Sequence, residues 1–128
     1  VIVLDASVLI AHLDSGDAHH ERATRLLLSV ADDQLAVSPL TMAEVLVGPA
    51  RAHQLERVQA VLRDLDVATV ALTEDAPVRL ATLRAGTNLR LPDCCVLLAA
   101  ATVEGTVATF DAHLAVAAGS LGIGIRTD

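Results

Sequence analysis

Val1-Ile2-Val3-Leu4-Asp5-Ala6-Ser7-Val8-Leu9-Ile10 is the stretch on which the architecture turns. Its first four residues carry no polar break. Such a segment has no face to show to water and reads as a central strand of a parallel sheet, covered on both sides. Ala6 to Leu13 then reads as a short helix, which leaves Asp5 at the carboxyl end of that strand. Outward from here, strands and helices alternate. A helix is expected from Ala18 to about Ala31, with Ala23, Leu26, Leu27 and Val30 at helical spacing. Leu35-Ala36-Val37 is a second strand, closed by Ser38-Pro39, a serine cap followed by proline at the first helical position. The helix so opened carries Met42, Ala43, Val45 and Leu46 and is expected to stop near Gly48-Pro49. Another, Ala52 to Leu65, sets Leu55, Val58, Val61 and Leu62 on one stripe. Val67 to Leu72 reads as the third strand, and Glu74 to Ala85 and Pro92 to Glu104 read as helices. Thr106 to Thr109 is the fourth strand, Ala112 to Leu121 the last helix and Ile123-Gly124-Ile125 the final strand. Crossovers this long imply parallel neighbours with helices on both faces. No linker or repeat divides the chain, so residues 1–128 are expected to form one α/β domain around a five-stranded parallel sheet.

A chain of 128 residues can bury a core without staples. Its 53% apolar content, before seven glycines are added, exceeds the usual share for a soluble domain and implies apolar surface left for a partner. No membrane association is expected. The longest apolar run, Cys94 to Val103, is closed by Asp93 and Glu104 and falls short of the roughly 20 residues a span requires. The opening does not resemble a signal peptide, since Asp5 interrupts it. Cys94 and Cys95 are neighbours, which on a helix point about 100° apart and make a poor disulfide, so a cytoplasmic location is expected. His12, His19 and His20 show no metal-ligand spacing and read as surface residues.

Four acids stand out by position. Asp5 follows the first strand and Asp111 follows the fourth; Glu44 lies in the second turn of the helix after Ser38-Pro39, and Asp93 in the first turn of the helix opened by Pro92. Ligands of open parallel sheets collect at the carboxyl ends of strands, where the strand order reverses, so one site can gather all four. Each also has a plainer reading. Asp5, Asp93 and Asp111 suit helix starts by capping or by charge. Glu44 sits within Met42-Ala43-Glu44-Val45-Leu46-Val47, where a glutamate either faces water or is buried with a partner.

The order of these segments resembles a known family. Val3-Leu4-Asp5-Ala6-Ser7-Val8-Leu9-Ile10 resembles the opening of PIN domains, an apolar strand followed by Asp-x-Ser or Asp-x-Thr. Thr41-Met42-Ala43-Glu44-Val45 resembles the second motif of that family. Leu91-Pro92-Asp93-Cys94-Cys95-Val96-Leu97-Leu98-Ala99-Ala100 resembles the third, and Ala108-Thr109-Phe110-Asp111 the fourth. No single motif is specific; four in order along nearly the whole chain are. Within the family the likeness is to single-domain VapC-type toxins of bacterial toxin–antitoxin pairs. The resemblance implies a sheet ordered 3-2-1-4-5, with Asp5 and Asp111 side by side. It also implies a metal-dependent endoribonuclease in which Asp5, Glu44, Asp93 and Asp111 are the catalytic carboxylates and the products carry a 5′-phosphate and a 3′-hydroxyl.

Such a pocket suits Mg²⁺ or Mn²⁺, hard ions that prefer oxygen. Asp5 and Asp93 are the expected direct ligands, with Glu44 and Asp111 binding directly or through water. Ser7 and Thr109 are expected to hold the aspartates by hydroxyl hydrogen bonds, local capping being the alternative. Four crowded carboxylates repel, so neutralising Asp5 or Asp111 is expected to stabilise the metal-free protein.

The net charge of −7 runs against an RNA partner, but arginines can cluster locally. Arg22, Arg25, Arg51, Arg57, Arg84 and Arg90 are the candidates for phosphate contacts, against the plainer reading of solvated helix faces. Phe110 is the single aromatic residue, so base stacking is expected to add little. Asp14 and Asp17 read as loop residues, contact with a metal or RNA being the alternative. A cognate antitoxin is the expected protein partner, laying an amphipathic helix beside the helices from Pro39 to Leu65, and a homodimer is expected as well. Alternatives are a PIN nuclease that matures RNA without an antitoxin and, more remotely, an acidic metal-binding regulatory or adhesion module. A phospho-receiver is excluded because the chain has no lysine and no aspartate ends the third strand.

Overall fold

The computed structural model describes residues 1–128. Its five short strands are β1 (Ile2–Leu4), β2 (Leu35–Val37), β3 (Val67–Thr69), β4 (Thr106–Ala108) and β5 (Ile125–Arg126). Between them run α1 (Ala6–Leu13), α2 (His20–Ser29), α3 (Pro39–Arg51), α4 (Leu55–Asp64), α5 (Ala76–Thr87), α6 (Leu91–Val103) and α7 (Ala112–Ser120). All pairs are parallel and the order is β3-β2-β1-β4-β5. The order reverses between β1 and β4, where Leu4 stands beside Ala108.

The uninterrupted β1 is buried throughout because its side chains alternate between two cores. Ile2 and Leu4 enter a cluster with Val8, Leu9, Leu26, Val37 and Val45, under α1 to α4. Val3 enters another with Val107, Val96, Leu97 and Leu114, under α6 and α7. Cys94 packs in that second cluster, and both cysteines are buried and unpaired. No helix is long and apolar enough to cross a membrane.

Several boundaries differ from the sequence reading by one to three residues, and three of the differences have a visible cause. Helix α3 runs through Pro49 to Arg51. Proline forfeits a single backbone hydrogen bond there, and the helix closes only two residues later, before His53 at φ 56°. Strand β3 ends at Thr69, with Val70 making one last bond to the Val37 carbonyl. Strand β5 begins at Ile125 instead of Ile123, because the Ile123 N–H is taken by Ala118 O (2.9 Å) in the left-handed turn at Gly122 that ends α7. The Gly124 carbonyl then accepts from Val107 N–H and starts the ladder.

Gly105 joins α6 to β4 and sets the pairing that brings β4 against β1. A Cβ built there would lie 2.8 Å from the Val1 carbonyl oxygen, backbone that cannot yield without moving β1. Gly105→Ala is expected to destabilise the fold by about 1–3 kcal/mol, the usual cost of overpacking. An unchanged urea midpoint would show that the strand edge can move aside.

Candidate functional site

The pocket is built around Asp5, which is only 8% exposed. Asp5 is the N-cap of α1: Oδ1 accepts from the Ala6 N–H (2.8 Å). Oδ2 accepts from two hydroxyls, Ser7 Oγ and Thr109 Oγ1, each at 2.8 Å. These hydroxyls also work in the other direction. Ser7 Oγ accepts from the Phe110 N–H (3.2 Å) and Thr109 Oγ1 from the Asp111 N–H (2.9 Å). Capping and positioning, alternatives in sequence, are therefore one network here. It stitches the end of β1 to the turn after β4.

Asp111 is the N-cap of α7, its Oδ1 accepting from His113 and Leu114 N–H (2.8 and 3.2 Å). Its other oxygen makes no protein hydrogen bond. Asp93 sits in the first turn of α6, which begins one residue earlier than expected, at Leu91. Its nearest counter-charge is Arg90 Nε at 4.0 Å, on a side chain that is 79% exposed, so the pair is weak. Glu44 is half-buried on α3. One turn before it, the Thr41 hydroxyl is fully buried with no protein partner.

The acids feel one another. Burial first, then the charges of Asp5 and Asp93, push the Glu44 carboxyl above its usual range, against a smaller pull from Arg90. Burial and Asp5 push up Asp93, partly offset by Arg90, with Asp111 adding to the rise. All four carboxylates thus share one field, in which Glu44 and Asp93 are held above their ordinary ranges. Removing either cap, Asp5 or Asp111, would sacrifice its backbone hydrogen bonds. As a donor set, acidic oxygens with too little positive charge fit a hard divalent cation. The side chains do not close into a group of three about one point, so an ion held here would keep water among its ligands.

The arginine candidates separate. Arg90 lies at the pocket beside Asp93. Arg22 stacks on the Phe110 ring, 4.3 Å from its centroid, and bonds the Thr127 carbonyl. Arg84 donates to Leu89 O (2.7 Å) and ties the turn after α5, a structural use that the sequence reading did not foresee. Arg25, Arg51 and Arg57 are exposed and make no ion pair. His12 and His20, read as scattered surface residues, stack at 6.2 Å and join α1 to α2 through Thr24 Oγ1 and the Ala11 carbonyl. Burial, then His20, lower the His12 pKa.

Beside the acids runs a groove of about 480 Å³ between α1, α3 and α4, walled by Ile10, Leu13, Val45, Pro49 and Val58 and edged by Glu44 and Asp14. Asp14 reads in sequence as a loop residue, with contact to a metal or RNA as the alternative. It does cap that loop, accepting from Gly16 N–H (2.9 Å), and it also borders the groove. No sequence signal distinguishes the two roles.

The family model for the PIN domain matches residues 2–120. Among solved structures, a toxin–antitoxin complex from Klebsiella pneumoniae is 28% identical with a TM-score of 0.70, the match covering 87% of each chain. VapC20 of Mycobacterium tuberculosis, described as a sarcin-ricin loop cleaving toxin, is 18% identical with a TM-score of 0.76, covering 91% of this chain and 95% of that one. FitAcB from Neisseria gonorrhoeae is 22% identical with a TM-score of 0.72, covering 99% and 97%. The last two likenesses are of fold alone. No curated protein matches the chain.

The raised carboxylates set a pH dependence. Below the ordinary values of 4.5 for Glu44 and 3.8 for Asp93, folded and unfolded chains are both protonated and no penalty arises. As pH rises through the higher folded values, ionisation costs the folded state more, and stability is lost. In EDTA at pH 7, Glu44→Gln and Asp93→Asn are each expected to raise the melting temperature. That gain should vanish as the pH is lowered toward the ordinary values. Added Mg²⁺ should stabilise the wild type more than either variant. Variants that melt lower at pH 7 in EDTA would mean that the two acids make favourable contacts in the metal-free fold.

Proposed function

This chain belongs to the PIN-domain family, and from that premise we propose that it is a metal-dependent endoribonuclease, the toxin of a toxin–antitoxin pair. The observation that carries the reading is the convergence of Asp5, Glu44, Asp93 and Asp111 in one field whose nearest basic group is the exposed Arg90. The resemblance to a toxin–antitoxin complex across most of both chains supports the pairing with an antitoxin.

In this reading Asp5 and Asp93 hold Mg²⁺ or Mn²⁺, with Glu44 and Asp111 binding directly or through water. When bound, the ion supplies an activated water and neutralises charge on the scissile phosphate. The chain's own groups orient. Ser7 and Thr109 fix the Asp5 carboxylate by donating to Oδ2. Asp111 keeps one oxygen for the pocket while α7 holds the other. Arg90 stands where it can meet a substrate phosphate.

The antitoxin is assigned the groove between α1, α3 and α4. Its apolar walls suit an amphipathic helix, and Asp14 and Glu44 at its edge suit a basic residue on that helix. Of the apolar side chains on α3 and α4, Leu62 is buried in the core, whereas Val45 and Val58 line the groove together with Ile10 and Leu13 of α1. Self-pairing is supported by a second apolar groove of about 370 Å³, between α5, α6 and the turn after α7, where Val78 is 72% exposed. A cytoplasmic setting completes the proposal.

Purified protein is expected to cut RNA with Mg²⁺ or Mn²⁺ and to stop in EDTA. Asp5→Asn and Asp93→Asn should be inactive, and Thr109→Val should lose about 10–100-fold in metal affinity or rate. Expressed alone, the wild type should arrest growth and Asp5→Asn should not, while a small antitoxin encoded beside it should restore growth and copurify. RNA cleavage that survives both aspartate substitutions sinks the site. A cleaving protein that is harmless alone and retains no small partner would favour a role in RNA maturation.

A further inference from the structure

Arg22 is the candidate arginine whose place is fixed by bonds that lead back to the pocket. Its guanidinium lies over the Phe110 ring at 4.3 Å, and the His19 imidazole leans on the same ring with centroids 5.6 Å apart. Phe110 in turn precedes Asp111, and its N–H donates to Ser7 Oγ, which donates to Asp5. The ring therefore stands one residue or one hydrogen bond from groups that bear on two of the four carboxylates. Cation–π contact holds the guanidinium in place while leaving its donors free for a second partner.

That second partner is the segment after β5. Because β5 is parallel to β4, its carboxyl end emerges beside the pocket, where the Arg126 carbonyl accepts from Thr109 N–H (3.1 Å). The next carbonyl, Thr127 O, takes Arg22 Nε at 3.0 Å and a terminal nitrogen as well, and the Asp128 carboxylate lies 3.4 Å from Nε. A backbone carbonyl and a carboxylate in the fork of an arginine occupy the positions that phosphate oxygens take in a nucleic-acid contact. Asp128 is 91% exposed at its side chain, so its hold on Arg22 is weak and displaceable.

We propose that Arg22 is the phosphate contact on the Asp111 side of the pocket, and that residues 127–128 occupy its guanidinium until RNA displaces them. The proposal rests on the nuclease reading above and deepens it. Arg90 by Asp93 and Arg22 by Asp111 then flank the carboxylates, and a single strand crosses the pocket between them. Phe110 serves as the seat of the arginine, not as a platform for a base.

Two substitutions with opposite expected signs test this. Arg22→Ala should raise KM for a single-stranded RNA roughly tenfold, the loss of one charge-assisted hydrogen bond, with kcat little changed. It should also reduce the slope of log affinity against log salt by about 0.7. Asp128→Ala should lower KM, by up to about fivefold, by removing the carboxylate that competes with phosphate and leaving only the Thr127 carbonyl on the guanidinium. Direct binding of labelled RNA with Ca²⁺ in place of Mg²⁺ should follow the same two signs. If both variants change only the melting temperature, Arg22 is a structural clamp on the segment and the inference is overturned while the nuclease reading stands. A higher KM for Asp128→Ala also overturns it. A wild type that binds RNA without cutting it removes the nuclease reading, and the binding arm still decides the inference; a wild type that neither cuts nor binds removes both.

Discussion

The Asp5 carboxylate is the joint on which this molecule depends. It is buried and acidic, a combination that is costly unless it is well hydrogen-bonded. Here three donors answer it: the first N–H of α1 and the hydroxyls of Ser7 and Thr109. The same hydroxyls accept from the backbone on the far side of the sheet's reversal. One buried acid thereby fixes the start of a helix, the docking of β4 on β1 and the orientation of its own oxygens.

The other acids are held more loosely, and the contrast has a physical cause. Asp5 and Asp111 satisfy helix N-termini, where backbone N–H groups and the helix dipole favour negative charge. Glu44 lies past the first turn of α3, with no such donors and with burial and like charge against it. Asp93 has a distant, exposed arginine side chain and that residue's backbone, which do not offset its burial and the charge of Asp5. The fold therefore invests order in two carboxylates and leaves two in tension, which is the arrangement a cation can relieve.

Much of this was legible in the sequence. The apolar run before Asp5 marked a strand buried on both faces, and Ser38-Pro39 marked the start of α3, because both signals are local and strong. The strand order rested on family likeness; local pattern alone does not set it. What escaped was non-local. The terminus of α3 depends on the rest of the helix tolerating Pro49. The start of β5 depends on a helix cap claiming Ile123. That Arg84 serves a turn while Arg22 sits on Phe110 cannot be read from spacing, since one partner lies five positions away and the other eighty-eight. The rise of the Glu44 and Asp93 carboxyls also depends on burial and on charges brought in from other elements.

The reversal in strand order has a consequence in time. The hydroxyl bond from Thr109 to Asp5 spans 104 positions, and β1 cannot acquire its neighbour β4 until that neighbour exists. On a ribosome Asp5 is made 106 residues before Asp111, with synthesis running at about 5–20 residues per second. A nascent chain thus carries a disassembled pocket until the turn after β4 has been made. The topology works as a delay: the carboxylates are withheld from one another until more than a hundred residues lie between the first and the last of them.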